Sequence, residues 1–131
     1  MITEDFVSFE TAKLLKEKGF EAYTLMVYKL PIQLLHIDKE YLVGNNNGIT
    51  KGDSIEILAP THQMVMKWLR EVHKLHIAIL WDCGACIGKN SFCYHIYRID
   101  NYEDRGYNKI GFDSNEEAVE AALKYTLNNL L

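Results

Sequence analysis

The amino-acid sequence predicts an α+β fold, a mostly antiparallel sheet of about four to six strands with three helices packed on it, in the order α-β-β-(β)-α-β-β-(β)-α. Three observations carry this prediction. Three segments have apolar residues at helical spacing behind a capping residue. The segments between them are rich in β-branched and aromatic residues, and neighbouring strands are joined by short connections, which favours antiparallel pairing.

Size and composition fit one ordinary globular domain. The chain has 131 residues, 48% hydrophobic and 24% charged, so residues 1–131 are predicted to form a single domain with its own core. The net charge of −4 argues against diffuse binding to nucleic acid or to an anionic membrane. No apolar run reaches the length of a membrane span and the first residues do not resemble a secretory signal, which predicts a cytoplasmic protein with reduced thiols.

The first predicted helix covers residues 9–18. Ser8 precedes it as a capping residue, and Gly19 follows it where helices commonly end in a left-handed conformation. One face is apolar and is expected to pack on the sheet, while lysines and glutamates occupy the other; the apolar residues are Phe9, Ala12 and Leu15.

Strand-forming residues follow in segments 22–30, 33–43 and 54–58. The second predicted helix begins after Thr61 and continues to about His73, with His62 exposed at its start. Its stripe of predicted buried residues is Val65, Trp68, Leu69 and Val72.

Segments 76–81 and 92–99 are predicted to form a hairpin around a loop that contains cysteines, and residues 109–112 a short last strand. The third helix is predicted from Ser114 to the C-terminus, because Ser114 and Glu117 have the spacing of a capping box. Its predicted buried stripe is Val119, Ala122, Leu123, Thr126, Leu127 and Leu130.

Four potential metal ligands lie within thirteen residues: Cys83, Cys86, Cys93 and His95. Cys83 and Cys86 have the spacing of a zinc knuckle, and Cys93 and His95 are two apart on a predicted strand, so they point to one face and could complete a Cys3His zinc site. Strong zinc signatures, however, bring ligand pairs from two separate turns, and no helix follows the pair to activate a redox thiol. A plain hairpin loop is the favoured interpretation, with a zinc site and a disulfide left open.

The second helix also carries basic residues, Lys67, Arg70 and Lys74, along one predicted side. Such a stripe can follow phosphates, which makes nucleic acid an alternative partner. The competing interpretation is a solvated face interleaved with Glu71, and the acidic balance of the chain favours it.

No catalytic signature is present in the sequence, so an enzyme is not predicted. Tyrosines are abundant, and several have the spacing that places them on one face of a strand. If helices cover one side of the sheet, the other side can present aromatic residues to a partner. The tyrosines are Tyr23, Tyr28, Tyr41, Tyr94, Tyr97, Tyr102, Tyr107 and Tyr125.

Residues 8–20, 59–73 and 116–125, which hold the three helices and the residues before them, resemble small uncharacterised proteins encoded in prophages and mobile elements of gut bacteria. This resemblance implies a phage-associated accessory role and no particular activity. Together the observations predict a protein that acts by binding a protein partner or by self-association. The alternatives are a zinc-binding module that uses the cysteine cluster and a nucleic-acid accessory protein that uses the basic helix face.

Overall fold

The computed structural model describes residues 2–21, 24–30, 34–42, 49–51, 54–82 and 90–131. Within these ranges the chain forms three helices and seven strands. The chain divides into two compact units, an N-terminal unit (Met1–Met64) and a C-terminal unit (Val65–Leu131). The prediction that residues 1–131 form a single domain stays a prediction.

The N-terminal unit contains one helix and an antiparallel sheet. Helix α1 (Phe9–Glu17) is followed by strands β1 (Thr24–Leu30), β2 (Leu34–Leu42), β3 (Ile49–Lys51) and β4 (Ser54–Leu58). The strand order is β2-β1-β4-β3, so β1 pairs with both β2 and β4. Strand β1 therefore lies inside this sheet, and its Val27 is fully buried.

Helix α1 begins and ends where the sequence predicts. The Ser8 hydroxyl oxygen accepts a hydrogen bond from the Thr11 N–H at 3.2 Å, and Gly19 has a φ of +77° just beyond the last turn. Ala12 and Leu15 are fully buried, which confirms the predicted apolar face, and Phe9 packs edge-on against the Tyr28 ring at 5.5 Å. The Tyr28 hydroxyl in turn donates to the Val7 carbonyl at 2.6 Å.

The C-terminal unit is built around a hairpin and a long helix. Strands β5 (Leu75–Asp82), β6 (Ser91–Arg98) and β7 (Tyr107–Phe112) form an antiparallel sheet in the order β5-β6-β7. Helix α3 (Asn115–Asn129) starts at the predicted Ser114 cap, whose hydroxyl accepts from the Glu117 N–H at 3.1 Å. The predicted stripe of α3 is buried as far as Leu127, and the Thr126 hydroxyl within it donates to the Ala122 carbonyl at 2.8 Å.

Helix α2 (His62–Val72) is confirmed as a helix but differs from the prediction in its buried face. Val65 and Leu69 are fully buried as expected, and Trp68 is half-buried. Val72, expected inside, is 60% exposed, and His62, expected in solvent, is 6% exposed. The His62 N–H donates to the Asp5 carbonyl at 3.0 Å, a contact distant in sequence that the helical pattern alone does not reveal.

The α+β class is confirmed, with antiparallel pairing throughout the described strands. The prediction of a single sheet of about four to six strands is not confirmed, because the strands are divided between two sheets. Strand β3 was not predicted, since its three residues are too few to show a period.

Candidate functional site

The sheet of the C-terminal unit has one face against α3. The ring of Tyr94 on β6 stacks on Phe112 at 5.7 Å and lies 6.5 Å from the ring of Tyr125 on α3, and the Tyr107 ring of β7 lies 5.5 Å from Tyr125. Burial, and secondarily the neighbouring Tyr125, raise the pKa of Tyr94 above its ordinary value. Ile96, two residues after Tyr94, is also buried. This side of the sheet therefore belongs to the hydrophobic core of the C-terminal unit.

The opposite side of the same sheet is the candidate site, and we call it the distal sheet face. Because side chains alternate along a strand, the residues between the α3-facing ones point away from the helix. The register pairs Ala78 and Asn108 with His95, Leu80 and Ile110 with Cys93, and His76 with Tyr97. The register also pairs Asp82 with Ser91 at the end of the same side. The distal sheet face therefore consists of ten residues, which are His76, Ala78, Leu80, Asp82, Ser91, Cys93, His95, Tyr97, Asn108 and Ile110.

This face keeps part of its surface in solvent and has one charged residue, Asp82, at one end. Leu80 is 47% exposed and Tyr97 38%, Asn108 is exposed, and His76, Ala78, His95 and Ile110 are half-buried. Asp82 is the one charged residue among the ten, although 24% of the chain is charged. Depletion of charge together with aromatic and aliphatic groups is typical of the central part of a protein interface.

Aromatic rings define the middle of the distal sheet face. The His95 and Tyr97 rings lie on the central strand and stack with centroids 5.9 Å apart and planes 11° from parallel. Two residues before His95, the Cys93 side chain is only 5% exposed. The stack is a flat, rigid platform, because each ring restricts the rotamers of the other.

The cysteine cluster is only partly described. Cys93 and His95 lie on β6 and share the distal sheet face, as predicted, whereas Cys83 and Cys86 lie outside the described residues. Within the part of the chain that the structure describes, no three His, Cys, Asp or Glu side chains come together in a group that could hold a metal ion. The four-ligand zinc site thus stays a prediction.

The predicted basic stripe is not continuous along a helix. Lys67 and Arg70 lie on α2, but Lys74 lies beyond its end with a φ of 57°. The Lys74 ammonium donates to the Glu71 carbonyl at 2.9 Å, and the Lys67 ammonium lies 3.8 Å from the Glu71 carboxylate. Arg70 is half-buried. Nucleic-acid binding by these residues stays a prediction, and this arrangement gives it no added support.

Sequence reasoning found part of the distal sheet face and missed the rest. Cys93 and His95 were placed on one side of a strand by their spacing, and Tyr97 continues the same period. His76, Leu80, Asn108 and Ile110 join them only through the register between three strands. Register depends on pairing across the sheet, so a pattern within one strand cannot supply it.

Comparison with known proteins adds no relative: no protein-family model, curated protein or solved structure matches the chain. Among the described residues, no helix is both long enough and apolar enough to cross a membrane.

Proposed function

We propose that this protein is a non-enzymatic binding module that contacts a protein partner through the distal sheet face. The single observation that carries the proposal is the composition of that face: ten residues on three adjacent strands, partly in solvent, with one charged residue, Asp82, at one end. Burying the part of this face away from Asp82 requires no charge to be desolvated, so a partner gains apolar contact at little electrostatic cost.

Rigidity supports the same proposal. The distal side chains extend from paired strands whose other face is fixed by the Tyr94 and Ile96 contacts of the core. The His95–Tyr97 stack restricts two of the rings further. A surface ordered before binding loses little conformational entropy when a partner arrives, which favours recognition by a preformed face.

Site-specific photo-crosslinking in the native host tests the proposal. Tyr97 is replaced by p-benzoyl-phenylalanine, and Tyr102 serves as the matched control because it is also a tyrosine and is 96% exposed but lies outside the distal sheet face. We expect irradiation to give a discrete protein adduct at position 97 and none at position 102. Leu80→Lys should abolish the adduct at 97, since it places a charge in the buried contact.

Equal adduct yields at positions 97 and 102 would contradict the proposal, as would the absence of any adduct at 97. Circular dichroism of each variant establishes that the fold is retained, so that loss of an adduct reports on the surface.

A zinc-binding module is the second candidate function, favoured by the placement of Cys93 and His95 on one face of β6. Cys83 and Cys86 would supply the other two ligands. We expect elemental analysis of protein purified without an affinity tag to give about one zinc per chain, falling to about zero in the Cys83→Ser, Cys86→Ser double variant. Metal-free protein from zinc-supplemented cells would rule this function out.

A phage-associated accessory role and a cytoplasmic location remain part of the proposal. They rest on the resemblance of segments 8–20, 59–73 and 116–125 and on the odd number of cysteines, three, which fits poorly with a closed disulfide framework. Both agree with a small binding module that has no catalytic signature in its sequence.

A further inference from the structure

We infer that Ser91 is a positioning residue of the zinc site, and that its hydroxyl donates a hydrogen bond to the zinc-bound thiolate of Cys93. The inference rests on the second candidate function, the zinc-binding module, and it adds a residue to the four predicted ligands. Its support comes from the burial of the Ser91 hydroxyl, from the position of Ser91 in the sheet, and from the small number of donors around Cys93.

The Ser91 hydroxyl is buried and unsatisfied. Ser91 is 1% exposed, and its Oγ atom has no hydrogen-bond partner in the described part of the chain. The other buried serine and threonine hydroxyls of the described residues are both bonded: Thr126 donates to the Ala122 carbonyl at 2.8 Å, and Thr11 accepts from the Ser8 hydroxyl at 3.1 Å. A buried hydroxyl without a partner loses its hydration and gains nothing in return, which makes such groups rare. The burial of Ser91 therefore indicates that an acceptor comes within its reach in the functional state.

Ser91 adjoins the predicted zinc ligands. Alternation along β6 places Ser91, Cys93 and His95 on one side of the strand. Across the sheet the register pairs Ser91 with Asp82, and Cys83 follows Asp82 directly in the sequence. Two residues of extended chain separate the Cα atoms of Ser91 and Cys93 by about 6.6 Å, a gap that their Oγ and Sγ atoms bridge when they lean toward each other. The unsatisfied hydroxyl thus lies next to the ligands on the strand and next to the start of the loop.

Few donors are available to a thiolate at position 93. Because β6 is the central strand, its backbone N–H groups point to β5 or β7 in the plane of the sheet, and not toward the distal sheet face. The nearest residues on the same side, across the sheet and along the strand, are Leu80, Ile110, Ser91 and His95. Leu80 and Ile110 have no polar side-chain atom, and the His95 imidazole is a metal ligand in the proposed site. Ser91 is then the neighbour whose donor is available.

Zinc makes this hydrogen bond strong. A neutral thiol is a weak acceptor, whereas a zinc-bound cysteine is a thiolate that has released its proton to solvent. Hydrogen bonds to an ionised acceptor are about twice as strong as neutral ones, and Cys93 is only 5% exposed, so little water competes. The Ser91 O–H then gains a partner and stabilises the thiolate, which increases the affinity of the site for zinc.

Zinc titration of Ser91→Ala in the full chain tests the inference. Zinc affinity is measured by competition with a chromophoric chelator, and the stability of the chelator-treated, metal-free chain by its unfolding midpoint in urea. Ser91→Ala should lower the zinc affinity at least about tenfold, because the thiolate loses its donor. It should leave the metal-free midpoint unchanged or raise it, since removal of an unsatisfied buried hydroxyl breaks no hydrogen bond.

Ser114→Ala is the matched control, and the opposite pattern is expected of it. The Ser114 hydroxyl accepts from the Glu117 N–H at 3.1 Å at the start of α3, outside the distal sheet face. Its loss should lower the metal-free urea midpoint and leave the zinc affinity unchanged, because a helix cap is removed and the metal ligands are not touched.

These opposite effects separate a zinc-dependent role of Ser91 from a purely structural one. Equal zinc affinities of Ser91→Ala and the unsubstituted chain would overturn the inference and leave the zinc-binding function standing. A lower metal-free midpoint of Ser91→Ala, or failure of this variant to fold, would also overturn it, because the hydroxyl would then have a partner without zinc. If the unsubstituted chain binds no zinc, the zinc-binding function and the inference fail together.

Discussion

Gly106 shows how one residue fixes the turn that leads from β6 to β7. Its φ is +75°, and its N–H donates to the Asp104 carboxylate at 2.8 Å, while Asp104 also forms an ion pair with Arg98 at 3.3 Å. A Cβ placed on Gly106 would overlap the carbonyl oxygen of Ile96, a backbone atom of the central strand that cannot move aside. Only glycine fits here, for conformational and for steric reasons.

Gly106→Ala is therefore expected to destabilise the protein by more than about 2 kcal/mol, from left-handed strain and the overlap together. Gly19→Ala is the matched control, because Gly19 also has a positive φ but no atom within 4 Å of its added Cβ. Gly19→Ala should lower the free energy of unfolding by about 1 kcal/mol, because only the left-handed backbone strain contributes there. Urea unfolding of both variants measures the difference, and equal losses would show that the overlap is relieved without cost.

At the level of elements, the sequence predicts what local interactions determine. The ends of α1 and α3 follow from Ser8 and Ser114, whose hydroxyls satisfy backbone N–H groups within the same turn. The β5–β6 hairpin follows from two strand-forming segments on either side of a turn-rich one, and all eight residues of β5 pair with β6.

Nonlocal contacts account for what the sequence does not predict. The residue pattern within one strand does not identify the strands that pair with it. It therefore cannot show that β1 pairs with β4 or that the strands form two sheets. The burial of His62 accompanies a hydrogen bond to Asp5, far earlier in the chain, and Val72 is exposed although it continues the apolar spacing. The distal sheet face belongs to the same class, because it is assembled by register among three strands.

For the molecule as a whole, the half-buried imidazole of His73 couples stability to pH. Its Nε2 atom is buried without a hydrogen-bond partner in the described part of the chain, and its ring packs edge-on against Trp68 at 4.6 Å. Burial lowers the pKa of His73 below the ordinary value of 6.5, because the charged form loses its hydration. As the pH falls below 6.5, the unfolded chain binds a proton that the folded chain does not, so the free energy of unfolding decreases.

We expect the unfolding midpoint in urea to decrease between about pH 7.5 and about pH 5.5, and His73→Phe to reduce that decrease while keeping an aromatic contact with Trp68. The two proteins differ at residue 73 alone, so the difference between their pH profiles isolates the contribution of His73. The destabilisation should level off once the pH is below the pKa of the folded state, since both states then carry the proton. Parallel profiles for the two proteins would show that the His73 imidazole can be protonated in the folded state without cost, and the burial of its Nε2 atom would then have no consequence for stability.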